Sequence, residues 1–389
     1  RRDESTSDSG SGEEWPTTTK NFFGNTTEQR FGRLKWTQVS KSRNGFPGGV
    51  TRRTDFTYDA DLMLQTSTVS PQDAATRLTT TYSYDEFGNT IAKSVEGYST
   101  PTGEPQTRSV QTVYDSRGRY IAYQENALGE QVRYEYNGTT PDLATGVMLS
   151  MTEIDPNGLA TTSYYNGLGQ VVSSSLPDER VSSVVRSYCS NCLGEVTHYK
   201  ELTQVSGQPD SEAYFDRWGR QVIQRERSFA GGWNSVVTEY DEEGRQKVVY
   251  EPNSTSYKSV YYYGALDRIT QVTAPDNSVT QYSYEPFATV VPNANAQVTR
   301  TVKNGFGEIA YTVDNMGNEV HFVRDAYGNL RETETRADGD TSVVTAVYNN
   351  WGRKTSTTDP VKGTWTYTYN AFGELYTQTT ARGHTFTLT

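Results

Sequence analysis

The chain has 389 residues, a formal net charge of −11, 33% hydrophobic residues and 12% aromatic ones. With no block of five like charges and no basic stripe, this balance argues against nucleic-acid binding, and without an apolar run of 18 residues the chain offers no helical membrane span. Its 28 Tyr against 4 Met suit strands with one tyrosine-rich face, because aromatic rings fit a pleated, half-buried surface; the same richness argues against disorder after Arg53.

In chain order, Arg1-Arg2-Asp3 opens without Met or a signal peptide, which reads as a piece excised from a longer protein. Residues 1–14 are small and polar and are expected to form a flexible leader. Residues 15–53 carry Trp15, Phe22, Phe23, Phe31, Trp36 and Phe46 between Gly-rich breaks. They read as an irregular β segment placed to cover the first edge of a sheet built by the later residues.

From residue 54 to 389 a phrase of the form Tyr-Asp-x-(large apolar)-Gly-(Arg/Asn/Glu) returns about every two dozen residues, the sign of a repeat architecture. Tyr84-Asp85-Glu86-Phe87-Gly88-Asn89, Phe215-Asp216-Arg217-Trp218-Gly219-Arg220 and Tyr240-Asp241-Glu242-Glu243-Gly244-Arg245 are close copies. Asn replaces Asp in the copies that begin at Tyr165, Tyr348 and Tyr369. Before each phrase the chain alternates, as at Tyr82 and Tyr84 or at Trp365, Tyr367 and Tyr369, so these rings line one face of a strand. In the phrase itself the Asp or Asn can bond the backbone two residues on, and the Gly supplies the positive φ of a short hairpin loop. A second strand comes next and ends at a break such as Asp155-Pro156-Asn157-Gly158. The unit is therefore a β-hairpin, and apolar residues at three-and-four spacing, the mark of a helix, are missing. The fold class is all-β: tandem hairpins in a continuous, curved antiparallel sheet, either a spiral shell or an open solenoid-like superhelix, with the curvature coming from strand twist.

The residue before the motif glycine is large and apolar in most copies, among them Phe87, Leu168, Trp218, Leu266, Phe306, Met316, Trp351 and Phe372. One reading is a ladder of rings stacking on sugars. The favoured one is a wedge packed under its own turn against the next repeat, because Leu and Met fill space well and stack on sugars poorly.

The Tyr114-Asp115-Ser116-Arg117-Gly118-Arg119 unit, its repetition and the Asp-Pro-x-Gly breaks together resemble the Rhs or YD-repeat family, over roughly residues 54–389. The resemblance implies a long antiparallel sheet that spirals into a hollow shell. In bacterial toxins of the family the shell encloses an effector; in teneurins it is part of an adhesion receptor. It further implies a secreted or cell-surface location. Toxin-type members end in a self-cleaving core and a variable toxin domain, and neither is found before Thr389.

Candidates for chemistry are few. Cys189-Ser190-Asn191-Cys192 reads as a motif turn enlarged by two residues, its cysteines forming a small disulfide or remaining two free thiols. Half of a zinc site completed by His198 is disfavoured, since structural zinc wants four ligands and no second pair exists. His198, His321 and His384 are scattered and read as sheet residues rather than catalytic bases. Acidic residues fall at turns; Asp59-Ala60-Asp61 and Asp338-Gly339-Asp340 match no calcium loop. No phosphate loop or nucleophile elbow is present, so neither an enzyme nor a cofactor is expected. The residues that matter are then the turn formers: Tyr84, Asp85 and Gly88; Tyr114, Asp115 and Gly118; Phe215, Asp216 and Gly219; Tyr240, Asp241 and Gly244. The expected role is a non-catalytic scaffold that encloses or displays an effector, the alternative being an adhesion or carbohydrate- or protein-binding module. Expected partners are the rest of its own polypeptide or a cell-surface protein or glycan, with self-association through open strand edges.

Overall fold

The computed structural model describes residues 2–6, 17–23, 32–43, 46–100, 103–136, 150–292 and 297–388. Within them the chain is built from antiparallel strands, twenty-two in a first sheet and eleven in a second. The one helical segment among the described residues is a three-residue 3-10 turn, Cys192–Gly194. No helix there is long and apolar enough to cross a membrane.

The expected hairpin unit is what the chain forms. The strands Leu78–Tyr84 and Thr90–Tyr98, for instance, flank the Asp85–Asn89 turn and pair antiparallel. At the motif tyrosine the register shifts by one residue, as between Ser83 and Tyr84, between Glu239 and Tyr240, and between Thr368 and Tyr369. A turn closed by a residue in the left-handed region, next to a bulge, is a standard hairpin connection whose twist matches that of its strands. Gly88 takes that position at φ 85° and Gly219 at φ 79°. Where the phrase lacks its glycine, Asp267 occupies the same conformation at φ 57°, which Asp tolerates better than most side chains.

Residues 15–53 contain regular strands, Thr17–Phe23 and Leu34–Arg43, paired with each other. Leu34–Arg43 pairs in turn with Phe46–Tyr58. Of the leader, Arg2–Thr6 is a strand paired with Thr17–Asn21, and residues 7–14 lie outside the described residues. So do Trp15 and Phe31.

The chain divides into two compact units. The first joins residues 1–112 to 284–290 and 297–389; the second holds residues 113–283 and 291–296. Among the described residues buried apolar side chains are few. In the second unit they are Tyr214, Val222 and Ile223, packed with Cys189, Cys192 and Val237, and separately Val248; in the first unit they are Ala288 and Ala371. Most strand residues are half-buried. Stability is thus distributed along the ladders and between neighbouring hairpins rather than gathered in one core, as in repeat arrays generally.

Candidate functional site: the motif edge

Apart from the Asp314 turn, which lies at the opposite strand ends, the motif turns fall along one edge of each sheet, and their geometry repeats closely. In the Asp85 turn the backbone N–H of Asp85 donates to the Asn89 carbonyl at 3.0 Å, and that of Gly88 to the Asp85 carbonyl at 3.1 Å. The Asp85 Oδ1 accepts from the N–H groups of Phe87 and Asn89, both at 2.9 Å. Asp216 Oδ1 does the same with Trp218 and Arg220, at 2.9 and 3.0 Å. Asp241 Oδ1 accepts from Arg245 N–H at 2.8 Å. The Asp115 turn is one residue longer: its Oδ1 takes the N–H groups of Arg119 and Tyr120 at 2.6 and 3.0 Å, with Gly118 at φ 65°, and Tyr114 ends the strand before it. The motif carboxylate is therefore a backbone acceptor. Burial raises the Asp85 carboxyl, yet the bonds from the Asn89 side chain and from backbone N–H groups bring it below the usual Asp range on balance.

A second regularity joins the first and last positions of many of these turns. Where the first is Asp, the residue four on is a donor: Asn89 Nδ2 reaches Asp85 Oδ2 at 3.0 Å, while Arg220 Nε and Arg245 Nε reach Asp216 and Asp241 at 2.7 Å. Asn318 and Asn329 serve Asp314 and Asp325 in the same way. Where the first is Asn, the residue four on is an acceptor: Asn126, Asn304 and Asn370 donate to Glu130, Glu308 and Glu374, and Asn166 donates to Gln170. Asn349 breaks the pattern, its Arg353 bonding the Asn370 carbonyl at 2.7 Å instead, and the Asp59 and Asp155 turns fall outside it, because Met63 and Leu159 offer only their backbone N–H.

The motif tyrosine does more than line a face. Tyr84 Oη donates to the Leu64 carbonyl at 2.8 Å, Tyr240 to Gln221 at 2.8 Å, and Tyr263 to Gln246 at 2.7 Å. Tyr348 and Tyr369 donate to Leu330 and Lys354 at 2.9 Å. Each acceptor begins the adjoining strand, which comes after the previous motif turn. At this edge no chain connection links the two strands, so the phenol joins consecutive hairpins where they are otherwise free to splay. Phe215 lacks the hydroxyl and stacks on Tyr199 instead, centroids 4.7 Å apart. Neither the four-residue rule nor the phenol bond follows from the turn reading alone. The alternation of Asp with Arg or Asn, and of Asn with Glu or Gln, is nevertheless visible in the sequence.

The wedge expectation fails at most turns. Leu168 is 83% exposed and Trp218 65%, and Phe87, Leu266, Phe306 and Met316 are exposed as well. The turn backbone aims this position away from the ladder, so it does not pack between repeats. In the first unit three such positions, Tyr327, Trp351 and Phe372, make contacts outside their own hairpins. There the turns at Asp325, Asn349 and Asn370 meet strands from residues 34–111. Tyr327 Oη donates to the Val39 carbonyl at 3.0 Å, beneath the Arg52 guanidinium, which lies 3.9 Å from the ring centre. Arg52 Nε also donates to the Asn350 carbonyl at 2.7 Å, and Arg43 to the Arg324 carbonyl. Ala371, wholly buried, donates its N–H to the Tyr98 carbonyl at 2.8 Å. Arg108 forks onto Glu374 at 2.6 and 2.8 Å and covers the Phe372 ring at 4.0 Å. The Arg108 guanidinium, with the Asn370 amide, holds the Glu374 carboxyl down at about 2. These contacts form a seam between early and late strands of the chain.

In the second unit Cys189 and Cys192 are joined as a disulfide. Thr197 braces the loop: its hydroxyl donates to the Cys189 carbonyl at 3.0 Å and accepts from Cys192 N–H at 2.8 Å. The buried Glu212 nearby accepts from Tyr214 Oη at 2.5 Å, Lys200 Nζ at 3.1 Å and Arg225 Nε at 2.6 Å. A carboxylate so saturated ties three strands together. His198 packs edge-on against Tyr188, His321 bonds Glu319 at 2.7 Å and stacks on Tyr311, and the His384 carbonyl closes the Thr380 turn. Among the described residues no group of three His, Cys, Asp or Glu is arranged to hold a metal.

No family model matches the chain, and no curated protein does. Solved structures do. TcdB2-TccC3 superposes with a TM-score of 0.67 at 12% identity, over 96% of this chain and 26% of that one. TcdB2-TccC3-Cdc42 gives 0.68, and TcdB2-TccC3 without its hypervariable C-terminal region gives 0.67, each at 12% identity, over 96% of this chain and 28% of the other. The chain thus spans about a quarter of the length of the solved chains it matches. At this identity the likeness shows a shared fold.

Proposed function

We propose that the chain is a section of the wall of a YD-repeat shell, carried by a secreted or cell-surface polypeptide that encloses or displays an effector. The observation that supports this most is the seam. Turns from residues 325–374 lock onto strands from residues 34–111 through bonds to main-chain carbonyls and a forked ion pair. Strands of the first sheet locked in this way to turns of the second can bound a volume, which a flat array of the same hairpins cannot. The turn side chains are occupied in holding backbone and one another, so the motif carboxylates are left for scaffold work rather than for substrate chemistry. The fold shared with TcdB2-TccC3 agrees with a scaffold role.

Limited proteolysis of the natural polypeptide that contains this chain tests the proposal. The expected outcome is a resistant repeat body with a second, non-repeat fragment protected inside it until the body is denatured. A second fragment that is digested as fast as a free peptide contradicts enclosure.

A further inference from the structure

We propose that a cationic cavity in the first unit, where the Asp325 turn meets the early strands, is a binding site for inorganic phosphate. The cavity measures about 160 Å³. Strand Leu34–Arg43 lends it Lys41 and Arg43, strand Phe46–Tyr58 lends Arg52, and strand Leu330–Ala337 lends Arg331. The Tyr327 ring forms part of its wall, with Lys41 Nζ 4.9 Å and the Arg52 guanidinium 3.9 Å from the ring centre. These two charges therefore lie within about 10 Å of each other, roughly the screening length at 0.1 M salt, and repel.

The surrounding groups leave that charge standing. Asp325 is the one acid among the lining residues, four of which are cationic. Its Oδ1 accepts from the N–H groups of Tyr327 and Asn329 at 2.9 and 3.0 Å, and its Oδ2 from Asn329 Nδ2 at 2.9 Å, so the carboxylate serves its own turn. Arg52 Nε donates to the Asn350 carbonyl at 2.7 Å, and Arg43 to the Arg324 carbonyl. Bonds to neutral carbonyls orient a guanidinium without neutralising it. No carboxylate among the described residues pairs with Lys41 or Arg52.

Such a surplus in a half-buried cavity costs free energy that an anion offsets. Guanidinium forks and a lysine ammonium suit the oxygens of phosphate, and the size of the surplus favours a multiply charged ion over a carboxylate. A water occupies about 30 Å³ of liquid, so the cavity takes a single tetrahedral ion with a few waters and leaves no room for a bulky organic substituent. The cations come from both sides of the seam, and a phosphate held between them ties early strands to late ones. The site depends on the seam and not on what the chain encloses.

Calorimetric titration of the full chain with sodium phosphate, at an ionic strength held constant with sodium chloride, tests the proposal. One phosphate per chain is expected to bind with a Kd at or below about 1 mM, and the melting temperature should rise with phosphate concentration. Lys41→Gln is expected to weaken binding about tenfold or more, and Lys41→Arg to keep it. Lys258→Gln is expected to leave it unchanged, although that ammonium also lies near a tyrosine, 5.3 Å from the Tyr250 ring centre in the second unit. In the unaltered chain phosphate should slow hydrogen exchange in Leu34–Arg43 and Leu330–Ala337 and not in Trp233–Tyr240, a reading that requires no variant to fold. The proposal is overturned if no phosphate binds at about 10 mM, or if Lys41→Gln leaves binding unchanged or Lys258→Gln weakens it equally. Protection spread evenly over the chain, or tighter binding of phenyl phosphate than of the free ion, overturns it as well.

Discussion

At the residue scale the motif carboxylate or amide is defined by what it accepts and donates within five residues. The donor-or-acceptor rule between the first and last turn positions makes a prediction that propensity alone does not. Asn304→Asp sets a second carboxylate against Glu308, which now accepts from the Asn304 amide at 3.0 Å. It should destabilise the chain by about 1 kcal/mol. Adding Glu308→Arg should recover most of that loss, although Glu308→Arg alone is unfavourable. Urea midpoints of the four proteins check it, and simple additivity would count against the rule. The role of Asp and Gly as turn formers could be read from the sequence because each acts locally, through side-chain reach and positive φ. The exposure of Leu168 and Trp218 could not. The direction of a side chain at a turn tip depends on the bulge beside it, and an apolar letter does not encode that.

At the element scale each hairpin is closed by its turn at one end, and many are joined to a neighbouring hairpin by a phenol. Tyr84→Phe keeps the ring and removes the donor to the Leu64 carbonyl. The cost should be about 1 kcal/mol, because a half-buried acceptor loses its partner. In a repeat array the effect should stay with the nearest neighbours. Hydrogen exchange is therefore expected to quicken across residues 64–98 and to stay unchanged in strands such as Leu330–Ala337. Uniform acceleration along the chain would argue that the phenols do not act hairpin by hairpin. Tyrosine-rich strands were legible from their two-residue alternation. Why the residue should be Tyr rather than Phe was not, since the acceptor lies on a strand that only the pairing register brings alongside.

At the scale of the whole chain, the joining of residues 1–112 with the last hundred residues in one compact unit is what the repeat pattern conceals. Every hairpin looks alike in sequence, and nothing in the phrase at Asn370 announces a contact with Tyr98. The seam's ion pair carries a pH signature. The Glu374 carboxyl, ordinarily near 4.5, is depressed to about 2 by Arg108 and Asn370. A depressed acid stabilises the fold above its unfolded value and loses that contribution as pH falls toward its folded one. The stability advantage of the parent over Glu374→Gln should thus be present at neutral pH and shrink between pH 4.5 and about 2. Because the pair is half-exposed, solvent screening keeps the advantage small. An advantage that stays constant across that window would remove the ion pair from the account.

The central claim, that late motif turns lock onto early strands of the same chain, is tested most directly by cross-linking across the seam. A Cβ placed on Gly97 would lie 3.2 Å from the Cβ of Ala371 and 2.5 Å from Leu78 Cδ2, so a cross-link of about 3.5–4.5 Å between Cβ atoms needs a small backbone adjustment and the Leu78 side chain to turn aside. With Gly97→Cys and Ala371→Cys introduced together, mild oxidation should give a rapid cross-link within one chain, independent of protein concentration and absent from either single variant. Thiols that stay free, or that link only between chains, would contradict the seam and the wall built upon it.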